Sequence, residues 1–504
     1  MRSRVVGAAL CVVAAGLAAA PASADTLREA LAKAYATNPT LTGARATLRA
    51  TDENVPIARA GGLPTLATSG GLTQQVLNTA SNSSSFSPDR QATAGLDLSV
   101  PLYTGGLVRN SVRAAETRDE AGRLGLRGTE SDLFTAVVGA YMDVIRDEAI
   151  VGLNQQNVRV LDTNLRASND RFEVGDLTRT DVAQSQARLS VSRAQLQTAQ
   201  ARLIGSREAY IRLVGTVPGV LQDPPALPNL PVSSDAAVDV AIGNNPALLS
   251  AQKLRQAADF DVGVARSQRL PQITAVLGGN YYNYLGTLNT GTLPRVGQDG
   301  IGVSGGLAVR LPLFQGGRLG AQVRQAQARR SAAIETATAS ERLVVANTRA
   351  AFAVYRSSQE VIASSETAVK ANRLSLEGVR AENSVGTRTI LDILNAEQEL
   401  LNTQVTLVTA RRDAYVAGFA LLAAMGRAEA DDLGLDGGVL YDPVVNYRRV
   451  RNRINDFASD KNADPVAATT RDTPAQDATV ARPLDPELDQ PVDRNLSDPS
   501  GKPQ

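Results

Sequence analysis

The sequence contains no histidine, no tryptophan and a single cysteine, Cys11. Without histidine, and with its one cysteine in the opening segment, the chain lacks the residues of an ordinary zinc site, a thiol nucleophile or an imidazole base. Basic and acidic residues are nearly balanced, at 52 and 51, and no basic stripe indicates a nucleic-acid partner. These absences predict a protein that is not an enzyme and that has no cofactor or metal.

The first 24 residues have the order of a secretory signal peptide. Arg2 and Arg4 precede an apolar run over residues 5–20, and the small residues Ala22 and Ala24 mark a cleavage site. We therefore expect the chain to be exported. Cleavage after Ala24 would remove the only cysteine.

Two stretches 211 residues apart have related sequences. VGDLTRTDVAQSQARL begins at Val174, and VGTRTILDILNAEQEL begins at Val385. The same offset relates PLYTGG at Pro101 to PLFQGG at Pro312. A repeat of this length indicates a duplicated structural half rather than a solenoid array. The predicted domains are a first repeat at 25–220, a linker at 221–234 and a second repeat at 235–447.

Within each repeat, the spacing of apolar residues changes from helical to alternating and back. Helical patterns interrupted by Asn38-Pro39 and Asn245-Pro246 come first, and β-hairpins at 66–103 and 272–314 follow. Long stretches with heptad-spaced apolar residues then predict helical hairpins at 105–215 and 316–426. Gly175 and Gly386 mark the turns at the tips of these hairpins. The heptads alone would equally suit an ordinary coiled coil.

The predicted strands are about ten residues long, which spans a bilayer when a strand is tilted. Tyrosines near the strand ends suit an interfacial belt, although a soluble hairpin with edge tyrosines would give the same pattern. An open sheet cannot face lipid, because its edge groups would have no hydrogen-bond partners. If the strands lie in a membrane, three chains with four strands each would close a barrel.

The duplicated halves, the Asn-Pro pairs, the PLYTGG and PLFQGG motifs and the VGTRTILDILN motif at Val385 together resemble the TolC family of outer membrane channels. The resemblance covers residues 25–447. It implies a mostly α fold, with a long coiled-coil α-barrel and a transmembrane β-barrel formed by a homotrimer in the outer membrane of a Gram-negative bacterium. It also implies an exit duct for small-molecule efflux or type I protein secretion, docked to a periplasmic adaptor and an inner-membrane transporter.

A secreted trimeric coiled-coil structural protein or adhesin is the alternative from another class. It would explain the heptads, but it would not explain two strand pairs at matched positions in the two halves. Substrate choice between small molecules and proteins is left open by the sequence.

The resemblance also assigns roles to residues near the tips. It places Asp392 and Asn395 at a pore constriction, and it places Arg388, Thr387, Asp181 and Asn383 in a tether that holds the gate closed. The chain departs from the family pattern twice, since Asn395 replaces an acid and Asn383 replaces a tyrosine. Helix capping is the other interpretation of Asp181 and Asp392, because acids are favourable near a helix start.

The segment at 448–504 is rich in aspartate, proline and alanine. Such a composition cannot bury enough apolar surface to form a core of its own. We therefore predict a disordered C-terminal tail.

Overall fold

The computed structural model describes residues 25–76, 88–288, 297–435, 440–461 and 466–489. The predicted signal peptide at 1–24 lies outside these ranges, as do the end of the predicted tail and, within the two predicted β-hairpins, residues 77–87 and 289–296. Among the described helices, none combines the length and the apolar character needed to cross a bilayer.

The two halves contain equivalent elements in the same order. The first half is formed by α1 (Leu27–Thr37), α2 (Pro39–Asp52), α3 (Asn54–Ala60), β1 (Thr65–Gln74), β2 (Arg90–Tyr103), α4 (Leu107–Glu173) and α5 (Arg179–Val214). The second half is formed by α6 (Ser234–Asn244), α7 (Pro246–Ser267), β3 (Gln272–Asn283), β4 (Asp299–Arg310), α8 (Arg318–Ser384) and α9 (Ile390–Ala424), and α10 (Val444–Val450) follows. The predicted fold class, mostly helical with four strands, is confirmed in the described residues.

The asparagine–proline pairs have the same role in both halves. Asn38 caps α2 and Asn245 caps α7, and each is followed by a proline at the first helical position, where a missing N–H costs nothing. The Asn38 amide also donates to the carbonyl of Leu213 at 2.9 Å, near the end of α5. The Asn245 amide donates to the carbonyl of Ala424 at 2.9 Å, at the end of α9. Each asparagine thus joins a short helix end-on to the second helix of its own hairpin.

The main core of the described residues lies where α1 and α6 pack against the middle of the long helices. Its largest side chains are Phe134, Tyr141, Tyr210 and Phe419, all fully buried. The Tyr141 hydroxyl donates to the carbonyl of Gln222 at 2.7 Å and so fixes the start of the linker between the halves. The start of the linker is therefore anchored to the core, where Leu221 is also buried.

The long helices α4 and α8 differ greatly in burial. Both have 67 residues, but 27 residues of α4 are buried and only 7 of α8. Apolar side chains of α8 such as Leu343, Val354 and Leu374 remain exposed. The two helices occupy equivalent places in the two repeats. In a single chain, α8 is therefore exposed on a side on which α4 is covered by neighbouring helices.

The segment after residue 447 differs from the predicted disordered tail. Residues 477–489 lie against the long helices, and Leu488 is only 2% exposed in a cluster with Leu401 and Val408. The composition of a segment reveals that it cannot build a core alone. It does not reveal that a few of its side chains complete a core built by other residues, and this is what Leu488 does.

Two buried acids connect α2, α4 and α10. Asp52 and Asp119 are both fully buried, and Asp119 pairs with Arg123 one turn further along α4. Asn446 of α10 donates to Asp52 at 2.6 Å. Burial, together with the hydrogen bond that the protonated Asp119 donates to Asp52, raises the pKa of Asp119 from 3.8 to about 7. The acid therefore takes up a proton on folding.

A group whose pKa is raised by folding gives the folded state more bound protons, so its contribution to stability falls as the pH rises from 3.8 to about 7. The cost is at most about 1.4 kcal/mol for each pH unit in that window. Asp119→Asn keeps the neutral shape, so we expect this variant to lose less thermal stability than the wild type between pH 5 and pH 8. Thermal melts in detergent at both pH values measure this. Equal losses in the two proteins would contradict the assignment.

Candidate functional site at the sheet and the helix tips

The four strands form one antiparallel sheet in the order β1-β2-β3-β4. The central pair, β2 with β3, comes from different halves, and so the sheet joins the two repeats. Strands β1 and β4 lie at the edges, and the outer N–H and C=O groups of both point away from the sheet. The single chain thus presents two open edges.

The register places most apolar side chains on one face of the sheet. Side chains alternate between faces along a strand, so directly paired residues share a face. Leu98 pairs with Leu66 on one side and with Leu277 on the other, and Tyr281 pairs with Ile301. The apolar and aromatic residues of this face are Leu66, Leu72, Ala92, Ala94, Leu96, Leu98, Val100, Ile273, Ala275, Leu277, Tyr281, Ile301, Val303, Leu307 and Val309, and its polar residues, among them Gln74, Asn283 and Asp299, lie mainly at one end of the sheet. We call it the apolar face.

The opposite face is mostly polar or small. It carries Ser69, Gln91, Thr93, Asp97, Ser99, Thr274, Asn280, Ser304 and Arg310, with several glycines. Residues of the apolar face are open in the single chain, with Ile301 79% and Val303 74% exposed. A sheet with one mostly polar face, and with an apolar face that no described residue covers, is suited to a boundary between water and lipid.

Aromatic residues lie at both ends of this sheet. Tyr103 ends β2 on the side of the long helices, and Phe314 follows β4 on the same side. At the far end of β3, Tyr281 lies on the apolar face, whereas Tyr282 lies on the opposite face. Tyr103 and Tyr281 thus place aromatic residues at both ends of the apolar face, as expected at the two surfaces of a bilayer.

The two hairpin tips have the same backbone construction. Gly175 and Gly386 follow the ends of α4 and α8 with φ of 83° and 81°, a left-handed conformation that favours glycine. After each turn, a threonine caps the next helix with an aspartate three residues later. The Thr178 N–H donates to Asp181 Oδ2 at 3.0 Å, and the Thr389 N–H donates to Asp392 Oδ2 at 3.0 Å.

Both aspartates are therefore capping-box residues. Hydrogen bonds from the Thr178 hydroxyl and then its N–H lower the pKa of Asp181. Hydrogen bonds from the Thr389 N–H and then its hydroxyl lower the pKa of Asp392. The capping interpretation holds for both positions. It also keeps each carboxyl ionised, as a residue at a cation-binding constriction would need to be.

The second tip carries polar residues that the first lacks. Arg388 Nε donates to Glu382 Oε2 at 2.8 Å, and this contact raises the pKa of the arginine. The Thr387 hydroxyl donates to the carbonyl of Glu382 at 2.8 Å, and the Asn383 amide donates to the carbonyl of Arg388 at 2.7 Å. Three predicted tether residues are thus brought together within one tip, where the first tip has Leu177 in place of Arg388.

The remaining predicted residues contact other partners in the single chain. Asp181 bonds to Thr178 rather than to Arg388. Asn395 accepts a hydrogen bond from Arg188 of α5 at 2.7 Å, so it joins the two hairpins. A bond between Arg388 and Asp181 of neighbouring hairpins in an assembly stays a prediction.

A buried polar cluster above the tips was missed from the sequence. Glu397 of α9 is 5% exposed; it contacts Arg380 of α8 at 3.1 Å and accepts from Asn164 of α4 at 3.1 Å. Burial raises its pKa. Glu397 follows Ile393 by one helical turn, so it lies on the apolar side of α9. The sequence signal that could have identified this cluster is an acidic residue on the apolar side of α9. The partners of Glu397 could not be predicted, because they come from distant parts of the chain.

Several known membrane proteins are similar to this chain. The family described as "Outer membrane efflux protein" matches residues 30–216 and 237–427. "Outer membrane efflux protein BepC" of Brucella suis is 32% identical over 450 residues, which is 89% of this chain and 95% of that protein. "Outer membrane protein TolC" of Escherichia coli is 28% identical over 353 residues, 66% of this chain and 71% of that protein.

Among solved structures, the outer membrane protein VceC from Vibrio cholerae has a TM-score of 0.68 at 23% identity, covering 79% of this chain and 96% of that chain. This likeness concerns the fold. The two ranges matched by the family coincide with the two sets of equivalent elements. The resemblance to TolC-type proteins is confirmed, and the chain belongs to the outer membrane efflux protein family, whose members are channels of the outer membrane and not enzymes.

Proposed function

We propose that three copies of this chain form an exit duct, with their sheets closed into one β-barrel in the outer membrane and their long helices extending into the periplasm. The observation that supports this most directly is the sheet with its apolar face and two open edges. In lipid an unpaired edge leaves N–H and C=O groups without partners, at several kcal/mol each. Pairing β1 of one copy with β4 of the next removes both edges.

Three such sheets give twelve strands, and their mostly polar faces would then line a lumen. The helices support the same arrangement. Within the chain α4 packs against α9. In the proposed trimer the equivalent contact for α8 would be with α5 of the next copy. This would cover the exposed apolar side of α8, which includes Leu343 and Leu374. A free coiled-coil adhesin would leave the apolar face of the sheet without a role.

We further propose that the tips form the periplasmic gate. Asp392 and Asn395 lie one helical turn apart at the start of α9, so they share a side of that helix. Three Asp392 carboxylates around the axis would attract cations at the constriction. Arg388 would hold neighbouring hairpins together through Asp181.

Transport through such a duct needs an energy source elsewhere. The sequence contains no glycine-rich phosphate loop, so the chain itself is not expected to hydrolyse nucleotides. We propose that a periplasmic adaptor connects it to an inner-membrane transporter. We assign small-molecule efflux as its task, because the relative that it matches over most of its length is described as an efflux protein.

The assignment of the faces is tested by two adjacent residues of β4. Val303 lies on the apolar face and Ser304 on the opposite face. A lysine facing lipid near the middle of a strand costs about 2 to 4 kcal/mol. We expect Val303→Lys to reduce the amount of trimer in outer membranes, and Ser304→Lys to leave it close to the wild type. Membrane fractionation and sedimentation in mild detergent measure both. Equal tolerance of the two lysines, or a monomeric wild type, would contradict the barrel.

The gate is tested by single-channel recording in planar bilayers. A partly exposed pair is worth about 1 kcal/mol or less, but a trimer would contain three such pairs acting together. We expect Arg388→Ser and Asp181→Asn each to raise the conductance severalfold. Asp392→Asn should instead weaken the block by multivalent cations, because it removes the ring of charge.

Glu382→Gln is the matched control, since it removes the partner that Arg388 has within its own tip. This variant should keep the wild-type conductance. If it opens the channel as much as Arg388→Ser does, the local pair holds the gate rather than a contact between neighbours. If Asp392→Asn opens the channel and Arg388→Ser does not, the two assigned roles are reversed.

The cargo is tested by deleting the gene in its host. We expect at least a severalfold fall in the inhibitory concentrations of unrelated apolar drugs, restored by the wild-type gene and by Ser304→Lys. The culture supernatant is compared in the same strains. Loss of one secreted protein without a change in drug sensitivity would replace efflux by type I secretion.

A further inference from the structure

Residues 477–489, which we call the strap, lie along the groove between α4 and α9. The strap contacts all four long helices. Arg207 of α5 bonds to its beginning, Gly152 of α4 lies beneath its middle, and Gln404 of α9 and Arg373 of α8 bond to its end. It therefore touches both hairpins and both halves of the chain.

The upper end of the strap is held by a buried arginine. Arg207 pairs with Glu148 at 2.6 Å, and it is only 9% exposed. Its guanidinium also donates to the carbonyls of Asp477 and Thr479, both at 2.8 Å. A buried charged group is costly to leave without hydrogen-bond partners. The strap supplies these partners.

The lower end of the strap is a tight turn over Asp485, Pro486, Glu487 and Leu488. The Leu488 N–H donates to the carbonyl of Asp485 at 2.8 Å, and proline suits the second position of such a turn. Arg411 of α9 contacts Asp485 at 2.9 Å and Glu487 at 3.1 Å. The turn directs Leu488 into an apolar cluster between the hairpins, where its carbonyl accepts from Gln404 at 3.1 Å.

A glycine in the middle of α4, Gly152, leaves space for a side chain of the strap. A glycine inside a helix costs about 0.5 to 1 kcal/mol relative to alanine. A Cβ at Gly152 would lie 3.0 Å from Cγ of Leu484, so only glycine leaves full room for that leucine. The equivalent position in α8 is Ala363. Only the first half therefore has a glycine at the position where the strap needs space.

We infer that the strap is an intramolecular restraint, which holds the first helical hairpin against the second and must leave its groove when the tips move apart. This rests on the proposed function, because that function assigns movement to the tips. The upper end of the strap attaches to the first half, and the lower end attaches to both halves, through Gln156 of α4 and Gln404 of α9. Sliding of one hairpin along the other therefore breaks contacts of the strap. Its outer ion pairs are partly exposed and individually weak, which makes release reversible.

The test is a disulfide in the full-length protein. The only natural cysteine lies in the predicted signal peptide, so Gly152→Cys with Leu484→Cys gives a single pair in the mature chain. We expect the bond to form under mild oxidation, as detected by gel mobility. We also expect reduction to raise the open probability of the trimer about fivefold or more, the lower end of usual coupling between sites. The single variant Gly152→Cys, treated with the same reductant, is the control.

A second pair of variants needs no oxidation. Gly152→Leu fills the space that Leu484 occupies. This variant should raise the open probability, as reduction of the disulfide does. Gly125→Leu places the same side chain at a position of α4 where an added Cβ would have no described atom outside the adjoining turns of the helix within 4 Å, and it should not open the channel. A disulfide that fails to form, or one whose reduction leaves the open probability unchanged, overturns the restraint. A wild-type protein that forms no channel overturns the proposed function, and this inference with it.

Discussion

The hydrogen-bonding requirement of the edge strands is the constraint on which the rest of the structure depends. A sheet whose exposed face is apolar, from Leu66 across to Val309, gains by entering lipid. It can do so only if the outer N–H and C=O groups of β1 and β4 find partners. One chain with four strands does not close the sheet on itself, and in the proposed trimer the neighbouring copies would supply these partners. The exposed apolar side of α8 and the open edges of the sheet are alike in that neither has a partner within the described part of a single chain.

Duplication explains why so few local signals suffice to build a long molecule. The same capping asparagine, the same left-handed glycine and the same threonine–aspartate box occur at equivalent positions in both halves. These features fix where each helix begins and ends. The differences are in chemistry rather than in backbone. Arg388 replaces Leu177 at the second tip, and Ala363 replaces Gly152 under the strap, so that each half has contacts that the other cannot make.

Near the tips the two hairpins are joined by a small apolar cluster of Leu161, Leu189 and Leu394 and by polar groups. Glu397 with Arg380 and Asn164, and Arg188 with Asn395, bridge helices of different halves. Removing one partner of a buried pair is costly, but such groups also fix one particular register between helices. Apolar side chains would permit several similar registers. Polar bridges therefore suit a region that changes between a small number of defined arrangements.

The sequence by itself determined the elements of this protein. Helix ends depend on caps and turns a few residues long, and strand faces depend on alternation, so Gly175, Gly386 and the strand pairs were predictable from local patterns. The tertiary structure alone decided the pairing of β2 with β3, the partners of Glu397, and the position of residues 477–489 on α4 and α9. These contacts join residues far apart in the chain, and their free energy depends on surfaces that exist only after folding. For that reason the composition of the C-terminal segment predicted disorder, whereas a groove built by other residues gives part of it a fixed place.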